Sequence, residues 1–157
     1  MSPEISKHEY LIEKCDDVIN EVFTQCHENA PNFGVKFDCF RDSLHKTIRK
    51  YLFPNSENSL TLDELKKFIR EIQAGDLFMA LACSNGSERA WWEFDHQHRG
   101  YLERVARHLA STETSAQDVV DTVYVELYGT RVIDGARVSK FSTYSGRGSL
   151  RGWLRTV

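Results

Sequence analysis

The sequence of 157 residues is 41% hydrophobic and 27% charged, with a formal net charge of −3. These values are ordinary for a globular chain of one domain or two small ones. No stretch approaches the roughly 18 apolar residues that cross a bilayer, and the N-terminus lacks a signal-peptide pattern, so we expect a cytoplasmic protein without membrane contact. The four cysteines are widely spaced, which predicts reduced, buried thiols and neither a metal site nor disulfides.

Residues 1–75 are expected to form a small unit of three helices. Apolar residues recur at helical spacing in three runs, each bounded by capping or helix-breaking residues. The expected starts are Ser2 or Ser6, Asp38 and Thr61, and the expected ends are near His27, Pro54 and Gly75. The residues of this unit indicate no chemistry, because its isolated histidines lack the second close pair of ligands that a metal site needs.

Three further helices are expected before residue 130. Asp76 is the expected N-cap of a short helix, Ser87 begins a long one that runs to about Leu109, and Ser115 caps a third over residues 116–128. His98 lies on the apolar stripe of the long helix, which predicts a hydrogen-bonded core histidine.

Acidic residues mark the third of these helices. Asp118, Asp121 and Glu126 lie away from its apolar side. They form either a solvated face or a docking face for a basic partner, and the sequence leaves both interpretations open.

Residues 130–139 are expected to form either a small hairpin or an irregular loop. Asp134 and Gly135 are a turn dipeptide, and Val132, Ile133 and Val138 flank it. Either structure would place the following segment against the last helix.

Charge is strongly segregated along the chain. Residues 131–157 contain six basic residues and one acid, a net charge of +5, which leaves −8 for residues 1–130. Phe141 and Tyr144 lie within the basic segment and offer rings for base stacking beside cations that can follow phosphates. The pattern favours a basic tip that binds a polyanion, with single-stranded nucleic acid as the natural ligand.

The last helix is expected to begin after Ser149 as its N-cap. Leu150, Trp153 and Leu154 then share one side, and Arg151 and Arg155, four residues apart, share another. Backbone N–H groups at this start would suit a phosphate. The alternative is an ordinary amphipathic helix with solvated arginines.

Three sequence features follow one another in residues 76–157. They are a Gly-Ser-Glu-x-Ala-Trp entry to the long helix, an Ala-x-Asp-Val-Val helix start and a Gly-Ser-Leu-x-x-Trp-Leu run near the end. In this order they resemble the second conserved domain of bacterial RNA polymerase sigma factors of the extracytoplasmic-function branch. The resemblance covers about half of the chain and implies an all-α helical bundle for promoter recognition, preceded here by the three-helix unit of residues 1–75.

The resemblance also implies a role for each charged surface. The helix over residues 116–128 would dock on the clamp helices of the largest subunit of core RNA polymerase through Asp118, Asp121 and Glu126. The segment 140–148 and the last helix would bind the non-template strand of the promoter minus-ten element and flip out one base, at a cost on the order of a few kcal/mol. The implied DNA contacts are Phe141, Tyr144, Ser145 and Arg147 in the base pocket, with Lys140 and Ser149 beside it and Arg151 and Arg155 on backbone phosphates.

The sequence departs from this family in three ways. Many members have a Gln-Glu pair where this chain has Asp121 and Thr122, and residues 1–75 are additional. Members normally carry a second DNA-binding domain of helix-turn-helix type, whereas this chain stops at Val157 inside an expected helix, which predicts a fragment. Residues 1–75 would regulate the factor, mask its polymerase face or bind another protein, and an anti-sigma inhibitor is one expected partner.

Two other functions fit the sequence. One is a helical protein-interaction module that imitates a sigma domain without reading DNA, and the other is a nucleic-acid binder without sequence preference. Paired carboxylates, a nucleophilic triad, a P-loop and metal-ligand spacing are all missing from the sequence. We therefore expect no enzymatic activity and no cofactor.

Overall fold

The structure is a computed structural model that describes residues 9–53, 60–129 and 131–157. These ranges are mostly helical, which confirms the predicted all-α class, and they include one two-stranded hairpin. The helices are α1 (Asp16–Asn29), α2 (Phe37–Tyr51), α3 (Leu62–Glu71), α4 (Ala74–Ser84), α5 (Glu88–Leu109), α6 (Glu113–Tyr128) and α7 (Leu150–Leu154), and the strands are β1 (Arg131–Ile133) and β2 (Ala136–Val138). Short 3-10 turns cover Pro31–Phe33 and Lys140–Thr143. No helix in the described ranges has the length and apolar character needed to span a bilayer.

Three predicted N-caps are confirmed, and each side-chain oxygen accepts a hydrogen bond from a backbone N–H three residues later. The pairs are Thr61 with Glu64, Ser87 with Ala90, and Ser149 with Gly152. The Thr61 hydroxyl also donates a hydrogen bond to the Glu64 carboxylate at 3.0 Å, so the Glu64 side chain folds back onto the cap.

Three other predicted N-caps are wrong by two or three residues. The N-cap residues in the structure are Lys36, Gln73 and Thr112. Asp38, Asp76 and Ser115 lie instead within the first turns of α2, α4 and α6. Acids suit the first turn of a helix as well as its cap, because both places face the positive end of the helix dipole.

The predicted helix ends differ from the structure by a few residues. α1 ends at Asn29, two residues after His27, and α3 ends at Glu71, so Gly75 lies inside α4. The starts predicted at Ser2 or Ser6 and the end predicted at Pro54 lie outside the described residues.

The main hydrophobic core of the described residues extends from the N-terminal helices to α7, and a second small cluster of Ala106, Ala116 and Val120 lies between α5 and α6. Rings from α1, α2 and the first 3-10 turn surround Phe78 of α4. At the other end, Phe141 contacts two rings of α5 and Trp153 of α7. Burying a ring of this size stabilises the fold by about 2–3 kcal/mol. The predicted boundary between residues 75 and 76 falls inside α4, whose buried side chains belong to this shared core.

Residues 131–138 form the hairpin that was one of the two expectations for this segment. β1 and β2 are antiparallel, with Ile133 opposite Ala136. Between them, Asp134 and Gly135 have φ angles of +53° and +79°, as a two-residue type I′ turn requires. Gly129 precedes the hairpin with φ +105°, and a Cβ there would lie 2.2 Å from the carbonyl oxygen of Val138, so only glycine fits.

Candidate nucleic-acid interface

The expected DNA-binding segment, residues 140–149, is here termed the tip. It begins with the 3-10 turn Lys140–Thr143 and ends at the N-cap of α7. Ser139 fixes its start to α6, because the buried hydroxyl donates a hydrogen bond to the carbonyl of Leu127 and accepts one from the N–H of Phe141. The end of α6 and the start of the tip therefore hold one another in place.

The N-terminal helices fix the other side of the tip. The Thr47 hydroxyl donates to the carbonyl of Ser145 at 3.0 Å, and the N–H of Gln73 donates to the carbonyl of Gly146 at 2.8 Å. Gly146 has φ +84°, and a Cβ there would lie 2.8 Å from Cγ2 of Ile72. The sequence did not predict these contacts, since they join segments that are distant in the chain.

The two aromatic residues of the tip lie in the core. Phe141 is 1% exposed and stacks on Trp153 with 5.9 Å between ring centroids. Tyr144 is 5% exposed and donates a hydrogen bond to the carbonyl of Gly148. Burial raises the pKa of Tyr144, so its hydroxyl stays protonated. Neither ring presents a face to solvent, which corrects the expectation that both rings stack on bases.

The N-terminus of α7 already binds a carboxylate of the same chain. Asp76 Oδ2 accepts a hydrogen bond from the N–H of Leu150 at 2.9 Å, and Ser149 Oγ accepts from the N–H of Gly152. These contacts occupy two of the N–H groups expected to receive a phosphate. Phosphate binding at this helix start is therefore not supported, and any phosphate contact in this region falls to side chains.

The cationic side chains of the tip and α7 are exposed. The Arg147 guanidinium lies over the rings of Tyr51 and Phe68, at 5.1 and 5.2 Å from their centroids. Ser145, beside it, is half-buried. Lys140 and Arg155 are exposed at the two ends of this region.

Among the described residues, the cations at positions 140, 147, 151 and 155 form no ion pair. Elsewhere in the described chain, six arginines each contact a carboxylate: Arg41, Arg49, Arg70, Arg89, Arg99 and Arg107. Arg104 and Arg137 resemble the tip cations in forming no ion pair among the described residues. The tip and α7 therefore carry local positive charge, although the chain as a whole is negative.

Arg151 is oriented by the core histidine of α5. Its Nε donates to Nδ1 of His98 at 3.3 Å and its Nη2 donates to the carbonyl of Gln97 at 2.9 Å. His98 is 7% exposed, which confirms the prediction of a hydrogen-bonded core histidine. Burial, and then the charge of Arg151, lower the pKa of His98, so the imidazole is neutral near pH 7 and can accept this bond.

The acidic side chains of α6 face solvent. Asp118, Asp121 and Glu126 are all exposed, and Asp121 accepts a hydrogen bond from the Gln117 amide at 2.9 Å. None of the three pairs with a cation in the part of the chain that the structure describes. This face therefore carries negative charge that no cation compensates, whereas the tip is positively charged.

An apolar groove lies beside this acidic face. Val125, Tyr128 and Val132 are 53%, 56% and 67% exposed, and with Trp91 they line an open groove of about 640 Å³. The Arg137 guanidinium lies 4.2 Å from the ring centroid of Tyr128 at the edge of the groove. The groove was not predicted from the sequence. The available signal was the excess of apolar residues around α6, more than one buried stripe can use.

No protein-family model, curated protein or solved structure that was compared with the chain matches it. Within the described residues, no group of three or more His, Cys, Asp or Glu side chains could hold a metal ion. The features of the described chain that bear on function are therefore its two charged surfaces.

Proposed function

We propose that this chain is a sigma-type promoter-recognition domain that docks on core RNA polymerase and binds the non-template strand of the minus-ten element. The observation that carries the proposal is the set of exposed cations without carboxylate partners at the tip and α7. Phosphates supply the missing negative charge, and release of their counterions drives binding. Lys140, Arg147 and Arg155 are the contacts we assign to the strand.

The docking half of the proposal rests on α6. Its carboxylates Asp118, Asp121 and Glu126 are exposed, and the neighbouring groove adds apolar surface at Val125 and Tyr128. A basic helical partner with an apolar stripe complements both features, as the polymerase clamp helices would under the family resemblance. Charge complementarity of this kind chiefly raises the association rate and selects the partner.

Base reading is assigned only in part to the residues that the sequence suggested, since Arg147 is kept and the two buried rings are replaced. Because Phe141 and Tyr144 are buried, base contact falls to Arg147, whose guanidinium can donate, and to the hydroxyl oxygens of Ser142 and Thr143, which can accept. The protons of these two hydroxyls are donated to the carbonyls of Ser139 and Lys140. Phe141 and Tyr144 act instead as the supports that fix the shape of the tip.

A second candidate function is a protein-interaction module that occupies polymerase or an inhibitor without reading DNA. The burial of the two tip rings and the exposed groove beside α6 favour it. Under this candidate the basic tip would contact acidic protein surface, and DNA sequence would have no effect.

The deciding experiment is fluorescence anisotropy with a panel of short single-stranded DNAs at two salt concentrations, with and without core polymerase. Promoter recognition predicts a sequence preference in the complex that Lys140→Ala and Arg147→Ala weaken. Binding to polymerase without any DNA preference would favour the interaction module. Salt-dependent DNA binding without preference and without polymerase binding would leave only a general nucleic-acid binder.

A further inference from the structure

A small cavity of about 170 Å³ lies between α2 and the tip. Each of its nine lining residues carries a hydroxyl or an ammonium group, and none carries a carboxylate. α2 contributes Lys46, Lys50 and Ser43, and the tip contributes Ser142 and Thr143. The cavity is thus bounded by polar groups that belong to two distant parts of the sequence.

Positive charge converges on this cavity. Lys46 and Lys50 are one helical turn apart, so their ammonium groups repel one another on the same face of α2. Neither forms an ion pair among the described residues. Arg147 adds a third cation, because its guanidinium lies over the ring of Tyr51, another lining residue. Such an arrangement is unfavourable in the free protein and is relieved by an anion.

The groups around Tyr51 also indicate positive potential at the cavity, through their effect on the pKa of its hydroxyl. A hydrogen bond with Ser145 and, after it, a hydrogen bond with Lys50 and the charges of Lys50 and Arg147 lower the pKa of this phenol, against an opposing effect of burial. The two cations therefore favour negative charge at this lining residue of the cavity.

The size of the cavity limits the ligand to a small group. Sites for drug-sized molecules are roughly 300–1,000 Å³, and this one is well below that range. We propose that Lys46 and Lys50 hold one backbone phosphate of the nucleic-acid strand that crosses the tip, with the hydroxyl of Ser43 beside it. The inference rests on the proposed function, and it gives the N-terminal helices a direct part in strand binding.

The position of the cavity in the chain argues for a strand and against a separate small anion. Its tip residues, 142–145, lie between Lys140 and Arg147, which are the two exposed cations of the tip. A strand that contacts both cations passes the cavity between them. Thr47 also lines the cavity and holds the carbonyl of Ser145, so α2 both shapes the tip and supplies charge to it.

The test is the salt dependence of single-stranded DNA binding by the full chain. For single strands, log K against log salt has a slope of about −0.7 for each phosphate contact. The double variant Lys46→Ala/Lys50→Ala should reduce the magnitude of this slope by about 0.7 and weaken binding several-fold at low salt. The matched control is Lys36→Ala/Lys67→Ala, which removes two exposed lysines outside the cavity and should leave the slope unchanged.

Each possible result leads to a different conclusion. An unchanged slope in the cavity variant, while Arg147→Ala reduces it, overturns the inference and leaves the proposed function standing. Absence of DNA binding by the unmodified chain, both alone and with core polymerase, overturns the proposed function and the inference together. Calorimetric titration with inorganic phosphate distinguishes a free phosphate from the phosphate of a strand. Suppose that the cavity variant no longer binds inorganic phosphate but keeps the salt-dependence slope of DNA binding. The cavity would then be assigned to free phosphate, and its assignment to a strand would be overturned.

Discussion

The hydroxyl of Thr47 donates a hydrogen bond to the carbonyl oxygen of Ser145, 3.0 Å away in space and 98 residues later in the chain. The neighbouring carbonyl, that of Gly146, accepts a second bond from the N–H of Gln73. Two consecutive peptide groups of the tip are therefore held by the N-terminal helices. The conformation of the candidate DNA-binding segment depends on a part of the chain for which the sequence suggested no chemistry.

Replacing Thr47 with valine should destabilise the fold by about 1 kcal/mol, because the isosteric side chain leaves the Ser145 carbonyl without its donor. Urea unfolding at pH 7 measures the change. Thr24→Val is the matched control, since that exposed hydroxyl bonds only to the carbonyl of Asn20 in its own helix. Its effect should stay within about 0.5 kcal/mol. Equal losses in the two variants would show that the bond across the chain adds nothing.

Gly146→Ala should cost about 1–3 kcal/mol, because alanine is strained at φ +84° and its Cβ would clash with Ile72. Gly148→Ala, two residues later, is the control. A Cβ there meets no atom within 4 Å, so stability should be unchanged or rise by up to about 1 kcal/mol. Thermal or urea unfolding of both variants decides the matter, and a destabilised Gly148→Ala would contradict this account of the tip.

Contacts over a few residues could be predicted from the sequence. The caps at Thr61, Ser87 and Ser149 follow from the spacing of an oxygen and an N–H three residues later, which is fixed by helix geometry. The hairpin turn at Asp134 and Gly135 is equally local, although the sequence left a loop as the alternative. The net charge of a segment is the sum over its residues, so the segregation of charge could be predicted from the sequence alone.

Contacts between distant segments could not be predicted in this way. Asp76 was expected to cap a helix, but its carboxylate accepts from Leu150, 74 residues away. Phe141 and Tyr144 have the composition of a stacking surface, and only the packing of Trp153 and α5 against them makes them core residues. The lysines of α2 line a cavity only because the tip packs against this helix.

Tyr124→Phe should make stability less dependent on pH. The Tyr124 hydroxyl and Nε of Arg99 each lie 2.7 Å from Oδ1 of Asp95. Burial acts to raise the pKa of Asp95, but these two hydrogen bonds and the charges of Arg99 and His96 together outweigh it, and the pKa falls below its ordinary value of 3.8. Folding thus favours the carboxylate, so this stabilisation is complete above pH 3.8 and is lost as the pH falls through the lower pKa of the folded state.

The variant should therefore lose stability at pH 7, by about 1 kcal/mol since Asp95 is partly exposed, and should differ less from the unmodified chain at pH 3. Urea unfolding at the two pH values measures both differences. The same substitution in an Asp95→Asn background is the control, and there the effect of Tyr124→Phe should be independent of pH. A difference that stays constant between pH 7 and pH 3 in the unmodified background would rule out a charged acceptor.

Asp118→Lys should weaken binding to core polymerase at least tenfold, a change of about 1.4 kcal/mol, because it places a cation where the proposed partner is basic. Glu28→Lys makes the same change of charge at an exposed position on α1 and should have little effect. Anisotropy of the labelled chain, titrated with core polymerase, measures both. Equal weakening by the two variants would mean that only net charge matters, and no weakening by Asp118→Lys would remove α6 from the proposed interface.

Single-stranded DNA binding by the Asp118→Lys chain alone should be retained, since the acidic side chains of α6 and the tip are separate surfaces. Loss of polymerase binding with retained DNA binding would therefore separate the two halves of the proposed function within one protein.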